Sequence, residues 1–153
     1  MGQDETENLQ KVLLADDNAQ IRMLVKKFFI KAKKRGDINC EVLEVSDGKQ
    51  AIEVLEQEKP DLILCDINMP KLSGYGVLNY FNKTERTSRP FCFFAFLTSS
   101  TDEMQNAFSQ NVMGFLDKNS MSYVVLSHHI KTWLRLAKLE RIQARITAEL
   151  TED

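Results

Sequence analysis

The chain has 153 residues, 43% of them hydrophobic and 27% charged, ordinary proportions for one folded domain and short for two. With 20 Lys and Arg against 22 Asp and Glu, the formal net charge of −2 argues against a broad basic face for nucleic-acid phosphates. No apolar run reaches the length of a membrane span, and residues 1–10 are polar and acidic rather than signal-like. A soluble, cytoplasmic protein with a flexible tail over 1–10 is therefore expected, with neither nucleic acid nor membrane as a partner.

Taken in order, Val12–Ala15 reads as a first strand that runs into Asp16 and Asp17. Asn18 can cap the helix that follows, where Ile21, Leu24, Val25, Phe28 and Ala32 recur at spacings of three and four. The basic stretch Lys26 to Arg35 reads as a solvated face and helix end, where cations suit the backbone dipole. Val42–Val45 is a second strand, and Asp47 with Gln50 resembles a capping box before a helix carrying Ala51, Ile52 and Leu55. Leu62–Cys65 is a third strand and leads to Asp66; a helix over Tyr75–Phe81 and a polar loop from Asn82 to Pro90 follow. Phe91–Leu97 is a fourth strand that ends at Thr98, Ser99 and Ser100, and Ser100 with Glu103 again resembles a capping box for a helix over Asp102–Phe108. Val112–Leu116 is a fifth strand ending at Asp117 and Lys118, before a long helix from near Ser120. The three cysteines, Cys40, Cys65 and Cys92, have no metal-type spacing and sit in or beside apolar runs, so they read as small buried hydrophobes in a reducing compartment.

Strands alternating with helices predict a parallel sheet covered on both faces, and the crossover rule leaves few topologies. The expected fold is a doubly wound α/β domain with five parallel strands. In such a sheet the carboxyl ends of the strands form the binding edge. Asp16, Asp17 and Asp66 then converge at one edge, with the Thr98 hydroxyl and the Lys118 ammonium on neighbouring strands. Clustered carboxylates repel one another, and a hard divalent cation such as Mg²⁺ relieves the repulsion. The same arrangement suits phosphoryl transfer, with Asp66 as nucleophile and Lys118 and Thr98 offsetting charge on the phosphoryl oxygens. Asp61 and Asp117 read as turn or cap residues.

Leu13-Leu14-Ala15-Asp16-Asp17-Asn18, Asp61 through Pro70, Leu97-Thr98-Ser99 and Gly114-Phe115-Leu116-Asp117-Lys118 together resemble the motifs of response-regulator receiver domains. Ser46-Asp47-Gly48 with Ala51 matches the family's second strand and helix, and the likeness runs from about Lys11 into the last helix. The resemblance implies a flavodoxin-like strand order of 2-1-3-4-5 and Asp66 as phosphoacceptor. It implies Mg²⁺ held by Asp17 directly, by Asp16 largely through water, by Asp66, and by the backbone carbonyl of Asn68. It further implies Lys118 on the phosphoryl group, Thr98 and Phe115 as the switch pair, and a small Ser99 that leaves the phosphoryl group accessible. The donor it implies is a phosphohistidine on a histidine kinase or phosphotransfer protein, and the output is a protein contact with a downstream protein. On this reading the chain modifies only itself and is not an enzyme in the ordinary sense. Two positions depart from the pattern. Asn119 stands where the family has a proline after a cis bond; a cis bond before Asn would cost roughly 3–4 kcal/mol, so a trans, rearranged loop is expected. Asn111 replaces the usual glycine before the fifth strand, a mild change because Asn tolerates the left-handed conformation.

Two other functional classes stay open at this point. An aspartate-nucleophile phosphatase of related fold needs a second Asp two positions after the nucleophile, where this chain has Asn68. A module that holds Mg²⁺ without phosphotransfer is the other. The last helix carries two stripes. Leu126, Ile130, Trp133 and Ala137 are assigned to the domain's own core, and Leu139, Ile142, Ile146 and Leu150 lie about half a turn away. The division expected is a receiver domain over 11–137 and a helical extension over 138–153, which serves a homodimer or joins an output domain. His128 and His129 have no spaced partner and read as surface residues.

Overall fold

The computed structural model describes residues 9–84, 89–99 and 101–152. Strands β1 (Gln10–Ala15), β2 (Cys40–Val45), β3 (Leu62–Asp66), β4 (Phe93–Thr98) and β5 (Gly114–Asp117) alternate with helices α1 (Ala19–Lys34), α2 (Gly48–Glu58), α3 (Gly74–Lys83), α4 (Thr101–Ser109) and α5 (Tyr123–Thr151). All strand pairs are parallel and the order is β2-β1-β3-β4-β5, the doubly wound arrangement expected from the sequence. Residues 1–8, where most of the flexible tail is expected, and Ser100, the expected cap of α4, lie outside the described residues.

Alternation along each strand divides the core into two layers, because successive side chains point to opposite faces. Val12, Leu14, Leu62, Leu64, Phe93, Ala95 and Leu97 face α1 and α5, meeting Val25, Phe28 and Phe29 on one helix and Leu126, Ile130 and Trp133 on the other. Leu13, Ala15, Ile63, Cys65, Phe94 and Phe96 face α2, α3 and α4. β3 and β4 are buried along their whole length, as central strands covered on both sides must be. Each fully buried Leu or Ile contributes roughly 1.5–3 kcal/mol from apolar surface removed from water. Cys65 and Cys92 belong to this core, Cys40 is half-buried, and burial drives the Cys40 and Cys92 thiols up to about 12.

The helix starts follow local chemistry. Asn18 accepts the backbone N–H groups of Gln20 and Ile21, and Asp47 accepts that of Gln50. The Gln50 side chain takes the N–H of Ser46 rather than that of Asp47, so the reciprocal box is shifted by one residue. The last helix begins at Tyr123 rather than near Ser120. Asp117 first caps a 3-10 turn over Lys118–Ser120, and Ser122 then caps α5 through the N–H of Val125. Asn111 has φ 62°, the left-handed conformation expected of it before β5.

Candidate functional site

Three strands deliver their ends to one place. Asp16 and Asp17 follow β1, Asp66 closes β3, and Lys118 follows β5. One carboxylate oxygen from each of Asp16, Asp17 and Asp66 lies within 4.8 Å of the others. Asp16 and Asp66 are buried, whereas Asp17 is exposed at the mouth. Lys118 Nζ lies 2.7 Å from Asp16 Oδ2 and 3.1 Å from Asp66 Oδ1. The peptide between Lys118 and Asn119 is trans. The rearranged turn still brings the ammonium into the acidic pocket.

Supporting contacts hold the acids in place. Asp16 Oδ1 accepts the N–H of Asn18 at 2.9 Å, and Arg22 donates to the Asp16 carbonyl at 2.6 Å while contacting Glu44 at 3.3 Å. The Asn119 side chain donates to the Ser99 carbonyl at 3.2 Å, tying the loop after β5 to the loop after β4. Thr98 ends β4, buried, opposite Asp117 in the strand register. Phe115 on β5 is half-buried, with its ring 6.4 Å from that of Phe96. Asn68 lies two residues beyond Asp66, in the exposed bend after β3.

Charge balance gives the site its character. Burial pushes the Asp66 pKa up to about 6; the Asp16 carboxylate pushes the same way, and the Lys118 ammonium partly opposes them. Burial alone would lower the Lys118 pKa, yet Asp16 and Asp66 outweigh it and raise the value above that of an ordinary lysine. Asp16 Oδ2 is wholly buried, and among the described residues its contact is the Lys118 ammonium at 2.7 Å. Three clustered carboxylates that share a single lysine form a donor set that fits a hard, oxygen-seeking divalent cation.

Several contributors to the site carry no signal in a one-dimensional reading. Gly74, the first residue of α3, donates its N–H to the Ile67 carbonyl at 2.7 Å. A Cβ there would sit 2.3 Å from the Asp66 carbonyl oxygen. Tyr75 donates to Glu103 Oε2 at 2.6 Å and packs edge-on against Phe96 at 5.5 Å, so it links α3 to α4 and to β4. At the opposite edge of the sheet, Asp61 is more than a turn residue. It accepts the N–H of Lys11 at 2.8 Å and pairs with Arg141 of α5 at 3.2 Å.

The pattern of the response regulator receiver domain family matches residues 12–130. Among full-length relatives, the probable transcriptional regulator ycf27 of Guillardia theta is 38% identical over 79 residues, 52% of this chain and 29% of that protein. The nitrate/nitrite response regulator protein NarL of Escherichia coli strain K12 is 32% identical over 108 residues, 71% of this chain and 47% of NarL. The matched segment is thus under half of each relative's length. Among solved structures, the signal receiver domain of a protein described as a Luxo repressor from Vibrio parahaemolyticus superposes with a TM-score of 0.70 at 28% identity, covering 88% of this chain and 96% of that one. The receiver domain of the sensor histidine kinase PA1611 from Pseudomonas aeruginosa, solved with a magnesium ion in its active-site cleft, gives 0.67 at 23% identity, covering 82% and 98%, a likeness of fold. With the family pattern running from β1 into α5 and the acidic pocket at the strand ends, this chain belongs to the response-regulator receiver domain family of two-component signalling.

Proposed function

We propose that Asp66 is the phosphoacceptor of this receiver domain and that Mg²⁺ is the ion its acidic pocket holds. The observation that carries the reading is the meeting of Asp16, Asp17 and Asp66 within 4.8 Å, with the Lys118 ammonium 3.1 Å from the Asp66 carboxylate. With a pKa of about 6, Asp66 is largely ionised at neutral pH and can attack as a carboxylate. One Asp66 oxygen bonds to the phosphorus of a phosphohistidine on a histidine kinase or phosphotransfer protein, and the N–P bond breaks as the imidazole leaves. Asp16, Asp17, Asp66 and the backbone carbonyl of Asn68 would supply the oxygen ligands of Mg²⁺. Mg²⁺, when bound there, would supply countercharge for the transferring phosphoryl group. Lys118 neutralises a second share, and Thr98 donates its hydroxyl to a phosphoryl oxygen.

The added charge gives Thr98 and Lys118 a new partner and biases the α4–β5 surface, with Phe115 reporting the change to a downstream protein. Asn68 stands where an aspartate phosphatase needs its general acid, which favours a lasting phospho-aspartate over turnover of outside esters. The chain modifies and resets only itself, works in the cytoplasm, contacts proteins rather than nucleic acid or membrane, and associates through the extension of α5.

Incubation with acetyl phosphate and Mg²⁺, read by intact mass, tests this directly. The expected result is a gain of one phosphoryl group on the native chain and none on Asp66→Asn. A native chain that stays unmodified with Mg²⁺ bound would leave only a metal-holding module.

A further inference from the structure

We propose that two copies of this chain pair antiparallel along the end of α5, with Lys138 of each copy against Glu149 of the other. This rests on the self-association named above and adds its geometry. Leu139, Ile142, Ile146 and Leu150 are 55%, 39%, 51% and 79% exposed, a run of large aliphatics left to solvent on one helix. At about 100° per residue they fall within roughly 80° of arc, and their 3-4-4 spacing keeps them on one face of the helix. Ile142 borders a cleft with Leu9, Gln10 and Asp61 of its own domain, and the rest of the stripe stays exposed. Arg141, nearly half a turn round the helix, is fastened to the sheet through the carbonyls of Phe91, Lys59 and Pro60 at 2.8–2.9 Å and through Asp61 at 3.2 Å.

Charge decides both the occupant and its direction. Lys138 and Glu149 flank the stripe on the same side, about 85° and 65° from its centre. Helices packed antiparallel bring like flanks together, and a stripe centred between Ile142 and Ile146 then sets Glu149 beside Lys138 of the second copy, twice over by symmetry. Parallel packing brings the other flank against this one. That flank carries Leu136, Gln143 and Thr147, so neither charge finds an opposite partner. Arg145 and Glu140 lie farther round, behind the flanks. A second copy therefore supplies the apolar cover that the exposed stripe lacks and adds a countercharge to Lys138, which borders the cleft of Asp61, and to Glu149, which follows Arg145 by four residues.

The test uses the whole chain. Sedimentation equilibrium is expected to show a dimer that Glu149→Lys weakens several-fold and that Lys138→Glu combined with Glu149→Lys restores. Chains carrying Lys138→Cys, mixed under mild oxidation with chains carrying Glu149→Cys, are expected to give a heterodisulfide, while neither variant alone cross-links. A dimer insensitive to Glu149→Lys, with no heterodisulfide, would overturn the antiparallel arrangement and leave self-association standing. A monomer at all concentrations would overturn both. Asp66 labelling by acetyl phosphate is expected to be unchanged in every variant, so the outcome is separable from the phosphorylation reading.

Discussion

The Lys118 ammonium lies 3.1 Å from the Asp66 carboxylate, yet the same Nζ is drawn closer, 2.7 Å, to Asp16. One cation is thus divided between two buried acids, with Asp17 a third at the mouth. The pocket carries more negative charge than its lysine can neutralise. That excess favours both a divalent cation and the uncharged form of Asp66, and the two compete.

Stability should therefore depend on pH through Asp66. Its folded-state pKa of about 6 lies above the ordinary value of 3.8, so between these values the folded chain holds the proton that the unfolded chain has released. Folding stability contributed by this group is fully present below about pH 4 and is lost as pH rises through 6, an effect on the order of 1–3 kcal/mol. Asp66→Asn is expected to stabilise the metal-free chain by about that amount at neutral pH and hardly at all at about pH 4. Urea melts at the two pH values measure the difference, and an equal gain at both would refute the account. Mg²⁺ should stabilise the native chain increasingly above pH 6, where the carboxylate is free to bind it, and do little for Asp66→Asn.

Gly74 sets a steric condition on the same loop. A Cβ at this position would stand 2.3 Å from the Asp66 carbonyl oxygen and 2.8 Å from the Ile67 Cα, both backbone atoms that cannot rotate aside. Gly74→Ala is expected to cost about 1–3 kcal/mol by overpacking and to displace the Asp66 main chain. Labelling of Asp66 by acetyl phosphate should slow in step. A variant that kept native stability and labelling rate would show that α3 can retreat from β3 freely.

What could be read from the residue string, and what could not, follows from the range of the interactions. Asp16 and Asp17 after β1, Asp66 at the end of β3 and Lys118 after β5 all stand at strand ends, and a doubly wound sheet sends every strand end to one edge, so their meeting follows from local pattern plus topology. The inward stripe of Leu126, Ile130, Trp133 and Ala137 is legible for the same reason, and all four are buried. The contacts of Arg141 with Asp61 and Phe91 span 80 and 50 residues and depend on how far α5 runs past the sheet, which no periodicity encodes. The reach of Asn119 to Ser99 depends on the 3-10 turn that replaces the usual loop. Gly74 is silent because its role is an absence of atoms.

The Tyr75 hydroxyl is a polar tie between α3 and α4. It donates to Glu103 at 2.6 Å and receives the Asn106 amide at 3.3 Å. The neighbouring carboxylate adds to burial in raising the Tyr75 pKa to about 12, so the phenol stays protonated and donating throughout the physiological range. Tyr75→Phe keeps the ring against Phe96 and removes the tie. Amide hydrogen exchange across 101–109 is expected to rise several-fold while the rest of the sheet is unchanged. Exchange that stayed as in the native chain would mean that packing alone holds α4.

Arg141 performs the corresponding task at the far edge of the sheet. Its guanidinium satisfies the carbonyls of Lys59, Pro60 and Phe91 and pairs with Asp61, whose other oxygen accepts the N–H of Lys11. Replacement by Ala leaves a buried carboxylate with one remaining partner and opens three carbonyls, a loss of roughly 1–3 kcal/mol. Lysine cannot restore it, because a single ammonium lacks the planar fork that reaches several acceptors at once. Both Arg141→Ala and Arg141→Lys should lower the urea midpoint and speed amide exchange in α5 beyond Ala137. Asp66 labelling at the opposite edge should continue unchanged. If Arg141→Lys behaved like the native chain, the tie would be one of charge with Asp61 alone, and the carbonyl contacts would contribute nothing.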